Sequence, residues 1–249
     1  MKNPIFLILS MCLLMTSINS CDYLGSYERG DGDIITTNRS LSSFNKINIA
    51  GNFEVILEKS DREGIDINAD SNLEPLIETK VRGDELTIDS QKKLLSRQRI
   101  SLTVHYKELN EIDVSGATLL KNDELLETND LRLNLSGAGV IDLQVKAGSL
   151  DADLSGAGLV KLNGYAGKCT LEMSGAGGLE AYGLETDDCT INVSGVGGAK
   201  INARNKLVAN IQGVGGIQYI GNPAKIEKHV SGVGSISPGR DSSERSDDR

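Results

Sequence analysis

One four-residue phrase recurs through the second half of this chain. Ser-Gly-Ala-Thr at Ser115 is followed by Ser-Gly-Ala-Gly at Ser136, Ser155 and Ser174, and by Ser-Gly-Val-Gly at Ser194 and Ser231, with the variant Gln-Gly-Val-Gly at Gln212. The starts lie 21, 19, 19, 20, 18 and 19 residues apart. A sustained period near 20 calls for stacked supersecondary units, each burying its apolar face against its neighbours, rather than one conventional globular core.

The residues around the phrase define the unit. With the Ser as position zero, position −1 holds Val114, Leu135, Leu154, Met173, Val193, Ile211 and Val230, and −3 holds Ile112, Leu133, Ala152, Leu171, Ile191 and Ala209. Beyond the phrase, +5 holds Ile141, Val160, Leu179, Ala199 and Ile217, and +7 holds Leu143, Leu162, Ala181, Ile201 and Tyr219. Polar residues stand between, among them Asn134, Asp153, Glu172 and Asn192 at −2, and Asp142, Lys161, Glu180, Lys200 and Gln218 at +6. Alternation of period two on both sides of a glycine corner predicts strand, tight turn, strand. The pattern predicts an all-β, single-chain parallel β-helix or solenoid with coils of about 19–20 residues, right-handed by the usual rule for parallel crossovers. Glycine at +1 is expected to supply positive φ at the corner, with the small residue at +2 pointing inward. A phosphate-binding reading of the glycines fails, because each corner runs into a strand and not into a helix N-terminus.

The rest of the chain divides around these coils. Residues 1–20 read as a lipoprotein signal peptide: Lys2, an apolar run from Ile5 to Met15 too short to span a bilayer, then Ile18-Asn19-Ser20 before Cys21. Cys21 is the expected lipidation site, which anchors a protein without making it span the membrane. Residues 21–40 read as a polar tether, 41–110 as an irregular N-terminal part of the solenoid, 111–238 as the regular coils, and 239–249 as a charged, disordered tail. Within 41–110, Ile47, Ile49, Val55 and Leu57 occupy the −3, −1, +5 and +7 slots of a degenerate first coil around Gly51. A helical turn is expected near Pro75 and a hairpin at Arg82-Gly83-Asp84-Glu85, whose Arg-Gly-Asp triplet is too short a signal to imply receptor binding. A surface loop over Asn122–Asp130 accounts for the 21-residue step.

Chemistry-bearing residues are sparse. The formal net charge of −9 argues against nucleic acid as a partner, and 4% aromatic residues with no Trp leave little to stack a base or sugar on. Cys169 and Cys189 both fall at −5, where the other units carry Leu131, Leu150, Leu207 and Ile226; they read either as buried small hydrophobes or as a disulfide between adjacent coils. Neither His105 nor His229 has a nucleophile beside it in sequence. Asp113, Asp151, Asp153 and Glu172 share an outer face, as in polysaccharide-cleaving β-helices, but these are positions the alternation requires to be polar anyway. No catalytic residue, metal ligand or cofactor is predicted.

The first coil Phe44-Asn45-Lys46-Ile47-Asn48-Ile49-Ala50-Gly51-Asn52-Phe53-Glu54-Val55, the segment Asn72-Leu73-Glu74-Pro75-Leu76-Ile77 and the serial glycine corners resemble the putative auto-transporter adhesin, head-GIN domain family of exported Bacteroidetes proteins. The resemblance covers about Leu41 to Pro238. It implies a β-solenoid behind a lipoprotein or secretory leader, and carries no functional residues. The expectation is a non-enzymatic envelope protein, lipid-anchored at the outer membrane, that contacts a glycan or protein. The alternatives are an assembly component of the envelope without a small ligand and, third, a polysaccharide-processing enzyme.

Overall fold

The computed structural model describes residues 27–240. Residues 1–20, read as a signal peptide, Cys21 and residues 241–249 lie outside the described residues. The chain is all-β, a parallel solenoid of about seven turns. Its regular part runs through β10 (Glu111–Val114), β11 (Leu119–Asn122), β12 (Leu126–Leu135), β13 (Ala138–Leu154), β14 (Ala157–Met173), β15 (Ala176–Val193), β16 (Val196–Ile211), β17 (Val214–Ile220), β18 (Lys225–Val230) and β19 (Val233–Pro238). Successive coils pair parallel and in the register of the repeat, so Ile141, Val160, Leu179, Ala199 and Ile217 form one stacked column. The −5, −3, −1, +5 and +7 columns from β12 to β17 are buried and make the core; each large aliphatic side chain there contributes about 1.5–3 kcal/mol. One coil earlier, in β11, the +7 slot is polar: Asn122 is buried, and its side chain both donates to the Gln144 carbonyl at 2.9 Å and accepts from the Gln144 N–H at 2.8 Å, so both of its polar atoms have a partner.

The N-terminal part is built from β2 (Ile34–Ser40), β3 (Lys46–Ile49), β4 (Glu54–Lys59), β5 (Gly64–Asp70), β6 (Ile77–Arg82), β7 (Glu85–Ser90) and β9 (Ser101–Tyr106), with a two-stranded ribbon of β1 (Tyr27–Arg29) and β8 (Lys93–Leu95) beside them. The degenerate first coil is real: β3 and β4 lie directly under β10 and β11, with Ile47 against Ile112 and Val55 against Leu120. Below them β7 and β9 form one more parallel layer, and antiparallel β6, β5 and β2 finish that end. Pro75 sits in a short 3-10 turn, Glu74–Leu76, and Gly83 takes φ +63° in the β6–β7 hairpin.

Three sequence expectations need correction. The stretch read as a tether, 21–40, contains β1 and β2: β2, which opens on the β-branched run Ile34-Ile35-Thr36-Thr37, pairs antiparallel with β5 along all seven of its residues, and the buried Asp70 carboxylate accepts the Gly32 N–H at 2.7 Å. The loop expected over Asn122–Asp130 shrinks to the residues between β11 and β12. The corner glycines, finally, are not there for positive φ, which none of those at +1 has. A Cβ at Gly137, Gly156, Gly175, Gly195, Gly213 or Gly232 would lie 1.9–2.1 Å from the carbonyl oxygen of the corner glycine one coil earlier. The corners stack backbone on backbone, and only glycine fits between them. The residue at +2 accordingly faces out: Ala138, Ala157 and Ala176 are exposed, and so are Val196, Val214 and Val233.

The far end closes differently. In β18 the inward −3 slot, apolar in the preceding coils, holds Lys228. Its Nζ donates to the Tyr219 hydroxyl at 2.9 Å and lies 4.5 Å from the centre of that ring. An inward charge of this kind blunts an edge that would otherwise accept another strand.

Candidate functional site: a groove on the outward face

Positions +2, +4 and +6 point outward on the strand that follows each corner. The +4 column begins with side chains, Leu119, Val140 and Leu159, and then loses them at Gly178, Gly198 and Gly216 before Ser235. The fold does not ask for glycine here. A Cβ on Gly198 or Gly216 would find its nearest neighbour 3.7 or 3.8 Å away, one on Gly178 would meet only the mobile end of Leu159 at 3.2 Å, and none of the three has a positive φ. The missing side chains leave a cavity of about 380 Å³, open to solvent and floored by strand backbone. It runs about 14 Å along the solenoid axis, three strand spacings.

Leu159 closes one end of the groove, and Leu179 and Ala199 lie in its lining. Beside the groove and outside its lining, the +2 column exposes Val196, Val214 and Val233, by 60%, 50% and 70%. The +6 column supplies Glu180, Lys200 and Gln218. The charge of this column alternates along successive coils, where Asp142, Lys161, Glu180, Lys200 and Gln218 stand in line. Lys161 bonds Asp142 and Lys200 bonds Glu180, each at 3.1 Å, so the column divides into two pairs. Exposed pairs of this kind contribute about 0.2–1 kcal/mol each. Within the groove their charges cancel. Tyr182, whose phenol is pushed up by partial burial, donates to Gln218 at 3.4 Å on the same flank.

The residues singled out by sequence lie elsewhere. Cys169 and Cys189 face one another across a single strand step, both buried and both free thiols. The neighbouring Cys189 thiol, together with burial, holds the Cys169 thiol well above its ordinary pKa. Asp113, Asp153 and Glu172 stand in the −2 column, where Asn134 donates to Asp113 and Asn192 to Glu172, both at 2.5 Å, and Asp151 lies two positions away at −4. Asp113 and Glu172 are thus held by amide side chains of adjacent coils, and Asp153 stands in register with Glu172. His105 is half-buried with Nε2 3.1 Å from Asp66, and His229 is exposed. Among the described residues no three His, Cys, Asp or Glu side chains gather as a metal site. The groove itself was missed in the sequence, although the change from Leu119, Val140 and Leu159 to Gly178, Gly198 and Gly216 was open to view.

The match to known proteins follows the solenoid. The family model described as putative auto-transporter adhesin, head GIN domain, matches residues 43–223. A crystal structure of a putative adhesin from Bacteroides fragilis superposes with a TM-score of 0.81 at 27% identity, covering 85% of this chain and all of that one. A putative lipid binding protein from Parabacteroides distasonis gives 0.71 at 21% identity over 86% of this chain and 100% of its own. A putative adhesin from Parabacteroides merdae gives 0.63 at 23% over 86% and 99%. No curated protein matches the chain. The family match thus runs from the first coil to the turn before β18, over most of the chain, which belongs to the putative auto-transporter adhesin, head GIN domain family.

Proposed function

We propose that this protein is a non-enzymatic binding protein of the cell envelope, anchored at the outer membrane by a lipid on Cys21, whose outward groove takes a neutral glycan strand. The observation that carries the reading is the run Gly178, Gly198, Gly216: three side chains absent in consecutive coils where neither packing nor backbone conformation requires it. A sugar has an apolar C–H face and a hydroxyl edge; the exposed valine column beside the groove suits the first, and Glu180, Lys200 and Gln218 in its lining suit the second. Lys200 is already neutralised by Glu180, which favours an uncharged ligand. The family name and the adhesin structures agree with a binding role.

The test is a glycan array probed with the full-length protein and with the double variant Gly198→Leu/Gly216→Leu. The wild type is expected to bind neutral glycans, and the filled variant to lose at least about tenfold in affinity with its melting temperature preserved. Binding that survives filling would remove the groove from the account. A wild type that binds no glycan would leave the reading as an assembly component in its place. The anchor is checked separately: Cys21→Ser is expected to move the protein from the membrane to the soluble fraction, and unchanged retention would count against lipidation.

A further inference from the structure

The ribbon of β1 and β8 stands apart from the coils, at the N-terminal end of the solenoid. Its strands pair parallel, Tyr27 with Lys93, Glu28 with Leu94 and Arg29 with Leu95. Residues in register on paired strands point to the same side, so the ribbon has two faces. Glu28 and Leu94 occupy the half-buried one, where Leu94 packs against the core and Glu28 is held by Lys92 at 2.9 Å. Tyr27, Arg29, Lys93 and Leu95 share the other face, and all four are exposed, Tyr27 by 51% and Leu95 by 48%. The chain fixes them there. The Leu95 carbonyl accepts the Gly30 N–H at 3.0 Å, and the Arg29 carbonyl accepts the Asn72 side-chain amide at 2.8 Å. The buried Asp70 carboxylate accepts both the Gly32 N–H and the Ser96 hydroxyl, which ties the end of each strand to β5. A ring and a leucine held side by side in water on a pinned element mark a contact surface.

Positive charge gathers at the same place. Residues 27–29 and 91–100 carry five cations, Arg29, Lys92, Lys93, Arg97 and Arg99, against the single carboxylate of Glu28, in a chain of net charge −9. Arg29, Lys93, Arg97 and Arg99 are exposed and have no ion-pair partner among the described residues. Net charge alone would turn this protein away from an anionic bilayer, and the ribbon is where that sign reverses. An aromatic ring and a leucine framed by lysine and arginine suit a headgroup layer: the apolar groups enter it while the long cations reach lipid phosphates. Position along the chain agrees. Tyr27 is six residue steps from Cys21, a length that spans at most about 20 Å when fully extended. A lipid on Cys21 would hold the ribbon within that distance of the bilayer.

We infer that the exposed face of the ribbon, Tyr27, Arg29, Lys93 and Leu95 with Arg97 and Arg99 beside it, docks on the surface of an anionic phospholipid bilayer and so fixes how the solenoid stands on its membrane. The inference rests on the reading of Cys21 as lipidated and is independent of the outward groove. The chain contains no Trp, so Tyr27→Trp places a single fluorescent reporter on this face. The full-length protein is combined with vesicles of phosphatidylethanolamine and phosphatidylglycerol, and with vesicles of phosphatidylcholine alone. On the anionic vesicles the Tyr27→Trp emission is expected to shift to the blue and to be quenched by lipids brominated on their acyl chains. His229→Trp, on the exposed β18 at the other end, is expected to keep the emission of a residue in water. Adding Arg29→Gln, Lys93→Gln, Arg97→Gln and Arg99→Gln to the Tyr27→Trp protein is expected to lower the ratio of docked to undocked ribbon by at least about tenfold, and about 1 M salt to act in the same direction. An unshifted Tyr27→Trp emission, equal shifts on the two kinds of vesicle, equal shifts at His229→Trp, or a charge-neutralised variant that docks as well would each overturn the inference. A blue shift that appears without vesicles and grows with protein concentration would also overturn it, in favour of contact between copies of the chain. The mass of the N-terminal peptide reports acylation of Cys21 separately, so a failed anchor and a failed docking surface are told apart, and the emission decides the docking whichever way that mass falls.

Discussion

Tyr106 is among the largest fully buried side chains. It closes β9, is 2% exposed, and its hydroxyl has no hydrogen-bond partner. Burial pushes its phenol up to about 12. In the unfolded chain the same group ionises near 10, so the unfolded state gives up its proton first as the pH rises. The contribution to stability is whole below about pH 10 and is lost between about 10 and 12. Tyr106→Phe is therefore expected to be at least as stable as the wild type at pH 7, by up to about 1 kcal/mol, since an orphaned buried hydroxyl is removed. The gap between the two proteins should widen across pH 10–12 in denaturant titrations. A gap that stays constant over that window would contradict the assignment. Nothing in the sequence pointed to Tyr106 beyond its place in an alternating strand, because whether a hydroxyl finds a partner depends on what the neighbouring coils bring to it.

Within one coil, the rigid element is the corner. Glycines at the corner and on the strand just after it behave oppositely. Gly175→Ala would set a Cβ 1.9 Å from the Gly156 carbonyl oxygen, so two strands must part or twist; a loss of about 2–4 kcal/mol is expected in urea unfolding. Gly198→Ala, with its Cβ in open space and no positive φ, should be neutral or gain about 0.4–1 kcal/mol. Equal effects at the two positions would refute the stacking account. This contrast also marks what was legible. Period-two alternation placed every core column and set Cys169 against Cys189, because strand side chains obey a local rule. The cause of the corner glycines was not legible, since it lies in the distance between coils. The β1–β8 ribbon was hidden for a similar reason: Lys93-Leu94-Leu95 is too short to show a period, and its partner is more than sixty residues away in sequence.

For the whole molecule, the two ends set what it can assemble with. One is finished by antiparallel strands, and the other ends in β18 and β19, which leave Ile226 and Val230 partly uncovered beside the inward Lys228. The charge in a column of Leu, Ile and Ala was visible in the sequence. Lys228→Leu should restore the apolar column and remove the guard from the open edge. The variant is expected to self-associate at concentrations where the wild type sediments as one species, with the difference readable by analytical ultracentrifugation. A variant that sediments like the wild type would show that other features of β18 and β19 protect the end.

Corners that touch backbone to backbone also govern how such a protein can change in length. Partial insertions at a corner would lift one glycine off the next and break the line of carbonyls, whereas a complete extra coil of 18 to 20 residues meets the same surface it replaces. Reach is thus quantised: the molecule lengthens or shortens in steps of one strand spacing, about 4.8 Å, and any groove along its side gains or loses one rung with each step.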